Sequence, residues 1–238
     1  MSLDALIDKL RHYIKKHHKF GVGLSPISTY LWDDERWDPF WGWNTKKGGY
    51  AGADVNGNLS YNLNTFNASD TWFWARKTQI LADKVRDENP TTGWHVVLLQ
   101  SGENGKGIRG ISRNGDGKTE GIKIPRPDVE AGKTAHEYAK EQVKLSSDVH
   151  SPYYSESGML PEDWIVAFMT HHEETGGLMD NFRNSTDSIA ILTGASYSFS
   201  GGMPGMYWDS NDWRANLSLF GFDDEQGVPC GIRSVVTV

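Results

Sequence analysis

The sequence contains a single cysteine, Cys230, among its 238 residues. One thiol excludes an internal disulfide framework and any metal site built from several cysteines. Proline is also scarce, with 9 residues against 26 glycines, which predicts extensive turns and loops rather than long helices. No apolar run approaches transmembrane length, and no signal-peptide core is visible at the N-terminus. We therefore expect no membrane insertion.

Basic charge is outweighed by acidic charge. The chain has 24 Lys and Arg against 31 Asp and Glu, a formal net charge of −7. Phosphate backbones are bound by clustered Lys and Arg, so this balance disfavours a nucleic-acid partner. Tryptophan is abundant, with 10 residues. Because Trp combines a large contact area with one N–H donor, it serves cores and binding surfaces alike.

Hydrophobic periodicity predicts helices and short strands that do not alternate as β-α-β units. Helices are expected over residues 2–18, 75–88, 133–144 and 161–174. Buried strands are expected in "GWHVVLLQ" and "SIAILTGA", and further strands between 206 and 238. This pattern is typical of an α+β fold. With no internal repeat or linker, we predict one domain over 1–238 with a leading amphipathic helix in 1–20.

Two of the predicted helices have a definable apolar face. In the first helix this face comprises Leu3, Leu6, Ile7, Leu10 and Ile14. It either packs on the body of the domain or serves oligomerisation or attachment, so the oligomeric state stays open. In the helix over 75–88, the residues expected to face the core are Ile80, Leu81 and Val85.

Three short motifs suggest ligand or metal chemistry but lack the context that each requires. Gly105, Gly107 and Gly110 spell G-x-G-x-x-G, yet turn-forming residues follow where a dinucleotide site needs a helix. "RNGDGK" resembles the middle of a calcium loop, but Lys123 stands where a bidentate Glu is required. The histidines of "HHEE" are adjacent, whereas a metalloprotease helix needs them at i and i+4. We predict no catalytic residue, no metal site and no cofactor.

The C-terminal segment "RANLSLF" alternates strictly between apolar and other residues. Its first set, expected in the core, is Ala215, Leu217 and Leu219, and its second set is Arg214, Asn216, Ser218 and Phe220. The second set, joined by aromatic and small polar residues of 207–213, resembles an antibody combining surface in composition. Exposed aromatic clusters usually mark interaction sites. The alternation therefore predicts a binding face.

The segments "AILTGASYSFSGGMPGMYWDSNDWRANLSLFG" and "GVPCGIRSV" resemble the C-terminal variable region of proteins diversified by retroelements. "GMLPEDWIVAFM" is similar to a helix start of the same lectin-like superfamily, which includes the formylglycine-generating enzymes. The resemblance implies a C-type lectin-like fold with short antiparallel strands, two or more helices and long loops. It also implies a variable ligand-binding region over 190–238.

By the same resemblance, the chain is a non-enzymatic receptor-binding protein of a virion or cell surface, whose partner is a protein or glycan on another cell. Position by position, the implied ligand-binding residues are Ser196, Tyr197, Phe199, Tyr207, Asp209, Asn211, Asp212, Trp213, Asn216 and Ser218. The implied scaffold residues are Trp208, Gly221, Cys230 and Ile232. The calcium-lectin signature is missing, and formylglycine chemistry uses a pair of cysteines where this chain has one.

Two alternatives stay open. One is an enzyme of the sulfatase-modifying or carbohydrate-active type, with the Trp-rich segment 32–43 as a sugar-stacking cleft. Its acids would be Asp33, Asp34 and Glu35. The other is a structural virion or surface protein with no diversified site.

Overall fold

The computed structural model describes residues 1–18, 38–43, 50–62, 75–86, 95–97, 133–151, 153–154, 156–182, 189–220 and 230–237. Its helices are α1 (Leu3–His18), α2 (Ala53–Asn56), α3 (Lys77–Arg86), α4 (Ala135–Ser147) and α5 (Pro161–Thr175). Its strands are β1 (Phe40–Trp41), β2 (Leu59–Tyr61), β3 (Ala75–Arg76), β4 (His95–Val97), β5 (Glu156–Gly158), β6 (Ile189–Ile191), β7 (Ala195–Tyr197), β8 (Met203–Asp209), β9 (Arg214–Phe220), β10 (Cys230–Ile232) and β11 (Ser234–Thr237). The mixture of helices and short sheets agrees with the predicted α+β class.

The strands of the described residues form three sheets, with orders β1-β9-β8-β6-β10, β4-β11-β5 and β3-β2-β7. Most neighbours are antiparallel, but β1 pairs with β9 and β10 pairs with β6 in parallel. The expectation of antiparallel strands is therefore wrong at both edges of the largest sheet. The reason is that β1 and β10 join this sheet through long connections, and only a tight turn forces antiparallel pairing.

The main core joins α1 and α5 to the inner face of the five-stranded sheet. Leu3, Ile7 and Leu10 are completely buried in this core. The core also contains Trp164 and Phe168 of α5, whose rings stack with centres 5.0 Å apart. The sheet contributes Met206, Trp208, Ala215 and Leu217. The apolar face of α1 thus packs on the body of the protein, which is the first of its two predicted roles.

A second apolar cluster joins α4 to the outer face of the same sheet. Ala135, Tyr138 and Ala139 of α4 lie in one buried cluster with Ile191 and Met203. The helix begins with a capping box, in which the Thr134 hydroxyl accepts from the backbone N–H of Glu137 at 3.2 Å and the Glu137 carboxylate accepts from the N–H of Thr134 at 2.9 Å. This packing covers the part of the outer face around Met203.

The start of α5 agrees with the sequence prediction, and its end lies one residue beyond the predicted 174. Pro161 occupies the first turn, and Gly176 ends the helix in the left-handed conformation at φ 67°. Between them, the Asp163 carboxylate accepts from the backbone N–H of Leu160 at 2.9 Å. A proline at the start and a glycine just after the end are the expected helix boundaries.

The predicted apolar face of α3 is wrong for two of its three residues. Ile80 packs against the core, but Leu81 and Val85 are 54% and 87% exposed. Residues 81 and 85 are one turn apart on a stripe rotated by about 100° from Ile80. The helix therefore contacts the body along the Lys77–Ile80 side, and the other stripe lies in solvent.

The predicted strands "GWHVVLLQ" and "SIAILTGA" contain β4 and β6, and the strands expected after 206 are present as β8 to β11. The glycine motif at 105–110, the "RNGDGK" turn, Asp33–Glu35 and Gly221 lie outside the described residues. Within the described ranges, no helix is long and apolar enough to cross a bilayer.

Candidate ligand-binding surface

The hairpin formed by β8 and β9 places alternate residues on opposite faces of the five-stranded sheet. Its register pairs Tyr207 with Asn216 and Asp209 with Arg214. Directly opposite residues of an antiparallel pair share one face, so these four lie together on the outer face. The parallel pairing of β1 with β9 adds Trp41 beside Asn216. The inward set is as predicted, since Ala215 and Leu217 are buried in the main core.

The turn between β8 and β9 is fixed by Asp209. Its Oδ1 atom accepts from the backbone N–H groups of Asn211 at 2.9 Å and Asp212 at 3.4 Å. Trp213 closes the turn with a φ of +54°, a left-handed conformation that costs an ordinary residue about 1–2 kcal/mol. Its ring packs against the main core. The turn therefore presents Asn211 and Asp212 to solvent on a fixed backbone.

Trp41 is the most exposed aromatic residue of this region, with 58% of its surface accessible. The guanidinium carbon of Arg214 lies 4.7 Å from its ring centre. A cation–π contact of this kind contributes about 0.5–1 kcal/mol at an exposed site. The Asp212 carboxylate accepts in turn from Arg214 Nη2. One surface of the indole is thus in contact with a charged pair, which orients the ring.

Tyr207 and Ser218 extend the same face towards α4. Tyr207 is half-buried, and its ring meets Phe182 edge-on with centres 5.4 Å apart. Gly205, opposite Ser218, leaves room for the Phe220 ring, because a Cβ atom at Gly205 would lie 2.0 Å from that ring. We use the name hairpin surface for the accessible outer-face and turn residues, which are Trp41, Tyr207, Asn211, Asp212, Arg214 and Ser218.

Four predicted ligand-binding residues are buried, and their expected exposure to solvent is wrong. Asn216 is 3% exposed, because it lies between Trp41 and Tyr207 of the neighbouring strands and its amide donates to the Arg214 carbonyl. Asp209 is 4% exposed and holds the turn. Ser196 is 8% exposed, and its hydroxyl bonds to the carbonyls of Gly201 and Gly202 at 3.2 and 3.3 Å. The fourth residue is Tyr197.

Tyr197 and Phe199 belong to a separate aromatic cluster. Tyr197 is completely buried, and its ring centre lies 4.6 Å from that of Tyr50. Phe199 is 59% exposed and stacks on Tyr50 at 5.9 Å. It precedes β8, so the seven residues of β8, about 20 Å at 3.3 Å per residue, separate it from the turn at 210–213. Phe199 is therefore not part of the hairpin surface.

Two residues of the hairpin surface, Trp41 and Arg214, were absent from the predicted ligand-binding set. The sequence did carry a signal for each: Trp41 lies in the Trp-rich segment, and the alternation of β9 places Arg214 on the outer face. Their proximity depends on the parallel pairing of β1 with β9. Because the two strands are far apart in the chain, no local pattern predicts this pairing. Of the predicted scaffold residues, Trp208 is buried in the main core and Ile232 packs against the second cluster.

A partly buried ionic cluster lies at the start of α1. Lys77 Nζ lies 2.8 Å from both Asp54 Oδ2 and Glu162 Oε1. Asp54 Oδ2 also accepts from the backbone N–H of Leu3 at 2.8 Å. Tyr61 donates to Glu162 Oε1 at 2.8 Å, and burial together with this carboxylate raises the pKa of Tyr61. The cluster ties five elements together, α1, α2, β2, α3 and α5, which is a structural role.

Metal-binding geometry is not found among the described residues, where no three His, Cys, Asp or Glu side chains are grouped to hold an ion. No protein-family model, curated protein or solved structure matches the chain. The side chains of the hairpin surface offer two aromatic rings, a paired guanidinium and carboxylate, an amide and two hydroxyls. Side chains of these types take part in stacking and hydrogen bonds.

Proposed function

We propose that this chain is a non-enzymatic ligand-binding protein that recognises a protein or glycan on another cell through the hairpin surface. In this proposal the fold is of the C-type lectin-like kind, and the region over 190–238 is diversified by a retroelement. The protein would act at the surface of a virion or a cell. The revised contact set is Trp41, Tyr207, Asn211, Asp212, Arg214 and Ser218, with Trp213 at its rim.

The observation that carries the proposal is the exposed indole of Trp41 beside a rigid hairpin. A side chain of this size, 58% exposed, leaves apolar area in water that a partner is able to bury. The polar groups around it are small or paired, as in a binding site with a central aromatic anchor and a polar rim. The Asp209 carboxylate fixes the backbone of the turn. Substitutions at the contact residues are therefore expected to leave that backbone in place.

The diversification part of the proposal is supported by the resemblance of 190–235 to retroelement variable regions and by the division of labour within the hairpin. Inward residues such as Trp208 and Leu217 are 2% exposed, so they tolerate little change. Outward residues of the hairpin surface have no such packing requirement, except Tyr207, which packs against Phe182. A variable protein needs this separation, because altered contact residues must leave the core intact.

The binding part is tested by labelling the protein and measuring its attachment to a panel of bacterial and animal cells and to a glycan array. Trp41→Ala and Tyr207→Ala are expected to reduce attachment by at least tenfold, since central aromatic anchors contribute about 2 kcal/mol or more. Tyr154→Ala is the matched control, because Tyr154 is also an exposed aromatic, at 51%, on the segment before β5. Equal attachment of all three variants would contradict the proposal.

The diversification part is tested separately on DNA. A reverse transcriptase gene should lie near the coding sequence, together with a near-copy of its 3′ end that differs at template adenines. The altered codons should include those of the hairpin-surface residues within 190–238, which are Tyr207, Asn211, Asp212, Arg214 and Ser218, and spare those of Trp208, Ala215 and Leu217. A gene neighbourhood without either feature would remove this part and leave the binding part to its own experiment.

A further inference from the structure

The second half of α1 is held on α5 by a group of titratable side chains. The hydroxyl of Tyr13 in α1 lies 2.9 Å from Nδ1 of His172. It donates a hydrogen bond to Oε2 of Glu173 at 3.0 Å. His17 Nε2 lies 3.3 Å from the same Glu173 oxygen. The imidazole rings of His17 and His172 meet edge-on, with centres 5.2 Å apart. We call these four residues the histidine clasp.

The clasp contains two imidazoles and one carboxylate, so a single protonated ring has a counter-charge and a second one does not. Burial lowers the pKa of His172, as does the charge of His17. Glu173 acts in the opposite direction and His171 adds a smaller lowering effect. A histidine ordinarily takes up its proton near pH 6.5. His172 has a lower proton affinity in the clasp than it would have with α1 detached. Acid therefore favours the detached state.

Arg11 connects the same half of α1 to the hairpin surface. Its Nε and Nη2 atoms lie 2.8 and 3.0 Å from the two carboxylate oxygens of Asp38, and Nη2 also donates to the Trp43 carbonyl at 3.0 Å. Asp38 Oδ1 accepts in addition from the backbone N–H of Phe40 at 3.0 Å. Asp38 and Trp43 are the residues on either side of the short segment that carries Trp41. Arg11 therefore holds both ends of this segment.

We propose that the histidine clasp is a pH-sensitive device that loosens the second half of α1 in acid and, through Arg11, releases the segment that orients Trp41. Its consequence for ligand binding rests on the proposed function, whereas the loosening itself does not. The helix as a whole stays attached to the core, because Leu3, Ile7 and Leu10 of its first half and Ile14 of its second half hold it through buried apolar contacts that do not titrate. Acid would thus weaken the hairpin surface without unfolding the core.

The test needs no ligand. Amide hydrogen exchange of the intact protein is measured at pH 7.5 and 5.0, corrected for the intrinsic rate, and the Trp41 indole N–H signal is followed by NMR, assigned with Trp41→Phe. Protection of residues 13–18 is expected to fall about tenfold per unit of pKa difference, with residues 5–10 unchanged. The Trp41 signal is expected to shift over the same pH range.

Variants separate the clasp from other histidines. His17→Gln combined with His172→Gln should abolish both pH effects, whereas His12→Gln and His150→Gln, which alter exposed histidines elsewhere, should retain them. Glu173→Gln, which removes the charge of a 61% exposed side chain and keeps its size, should enlarge the loss in acid because the balancing carboxylate is gone. Unchanged protection in the wild type, or a pH effect that persists in the double variant, would overturn the proposal. A failure of cell attachment alone would count against the proposed function and not against the clasp.

Discussion

The buried ion pair between Asp180 and Arg233 offers a sharp test of the packing beside the hairpin. Asp180 Oδ2 accepts from Trp164 Nε1 at 2.9 Å and from Arg233 Nε at 2.8 Å, and Oδ1 lies 2.6 Å from Arg233 Nη2. The two side chains are 1% and 9% exposed. The backbone carbonyl of Asp180 also accepts from the N–H of Trp208 at 2.9 Å, so the pair anchors the segment that runs beside β8.

Replacing Asp180 by Asn is expected to destabilise the fold by about 3–5 kcal/mol, because it leaves the Arg233 charge buried without a counter-charge. The φ of +51° at this position is one that Asn adopts readily, so backbone strain does not contribute. For a chain of this size the loss corresponds to a fall in Tm of roughly 6–20 °C. Urea unfolding followed by tryptophan fluorescence measures the change.

The double variant Asp180→Asn/Arg233→Met provides the control. Removing both charges takes away the unpaired one, so the double variant should be more stable than the sum of the two single losses implies, by at least about 2 kcal/mol. Strictly additive losses, or a single Asp180→Asn variant with the wild-type urea midpoint, would refute the reasoning.

Three further predictions follow from the packing and the titratable groups. Tyr197→Phe should leave the unfolding free energy unchanged or slightly raised, because the buried Tyr197 hydroxyl has no hydrogen-bond partner among the described residues, whereas Tyr197→Ala should cost about 3–5 kcal/mol in urea unfolding; a costly Phe variant would contradict the assignment to the core. Gly42→Ala should lower the Tm and displace β1, because its Cβ atom would lie 1.9 Å from the Leu217 carbonyl oxygen at a φ of +93°, and an unaltered Tm and Trp41 NMR signal would contradict this. Burial lowers the pKa of both His171 and His172, so the unfolded chain takes up protons first and the unfolding free energy should fall as pH drops below about 6.5; a flat pH profile in chemical denaturation between pH 7 and 5 would count against it.

Much of the secondary structure was predictable because it depends on local chemistry. The apolar spacing of α1 and the boundaries Pro161 and Gly176 of α5 are visible in the sequence and reappear in the structure. The alternation of β9 also assigned Ala215 and Leu217 correctly to the inner face. These features follow from helix and strand periods alone.

The exposure of individual residues on the hairpin surface was less predictable, because the burial of a side chain on one face of a sheet depends on the neighbouring strands. Asn216 lies on the outer face as predicted but is covered by Trp41 and Tyr207. Asp209 is of a residue type common in contact surfaces, yet its carboxylate accepts a hydrogen bond from the backbone of the turn. Small polar side chains serve turns as often as ligands, so residue type alone does not separate the two uses.

Long-range pairing accounts for the remaining differences. The parallel partners β1 and β10 bring Trp41 and Cys230 to opposite edges of one sheet, and neither pairing has a local sequence signal. The same reasoning explains why Phe199 was grouped with the hairpin although β8 separates them. Proximity in sequence is a poor guide where a strand of seven residues intervenes.

The central claim is that the hairpin surface, and not the aromatic cluster of Tyr50 and Phe199, contacts the partner. The most direct measurement compares attachment of labelled Trp41→Ala and Phe199→Ala to the cells or glycans that bind the wild type, with the Tm of each variant recorded alongside. We predict at least a tenfold loss for Trp41→Ala, wild-type attachment for Phe199→Ala, and folded protein in both cases. The reverse order of the two losses would contradict the account.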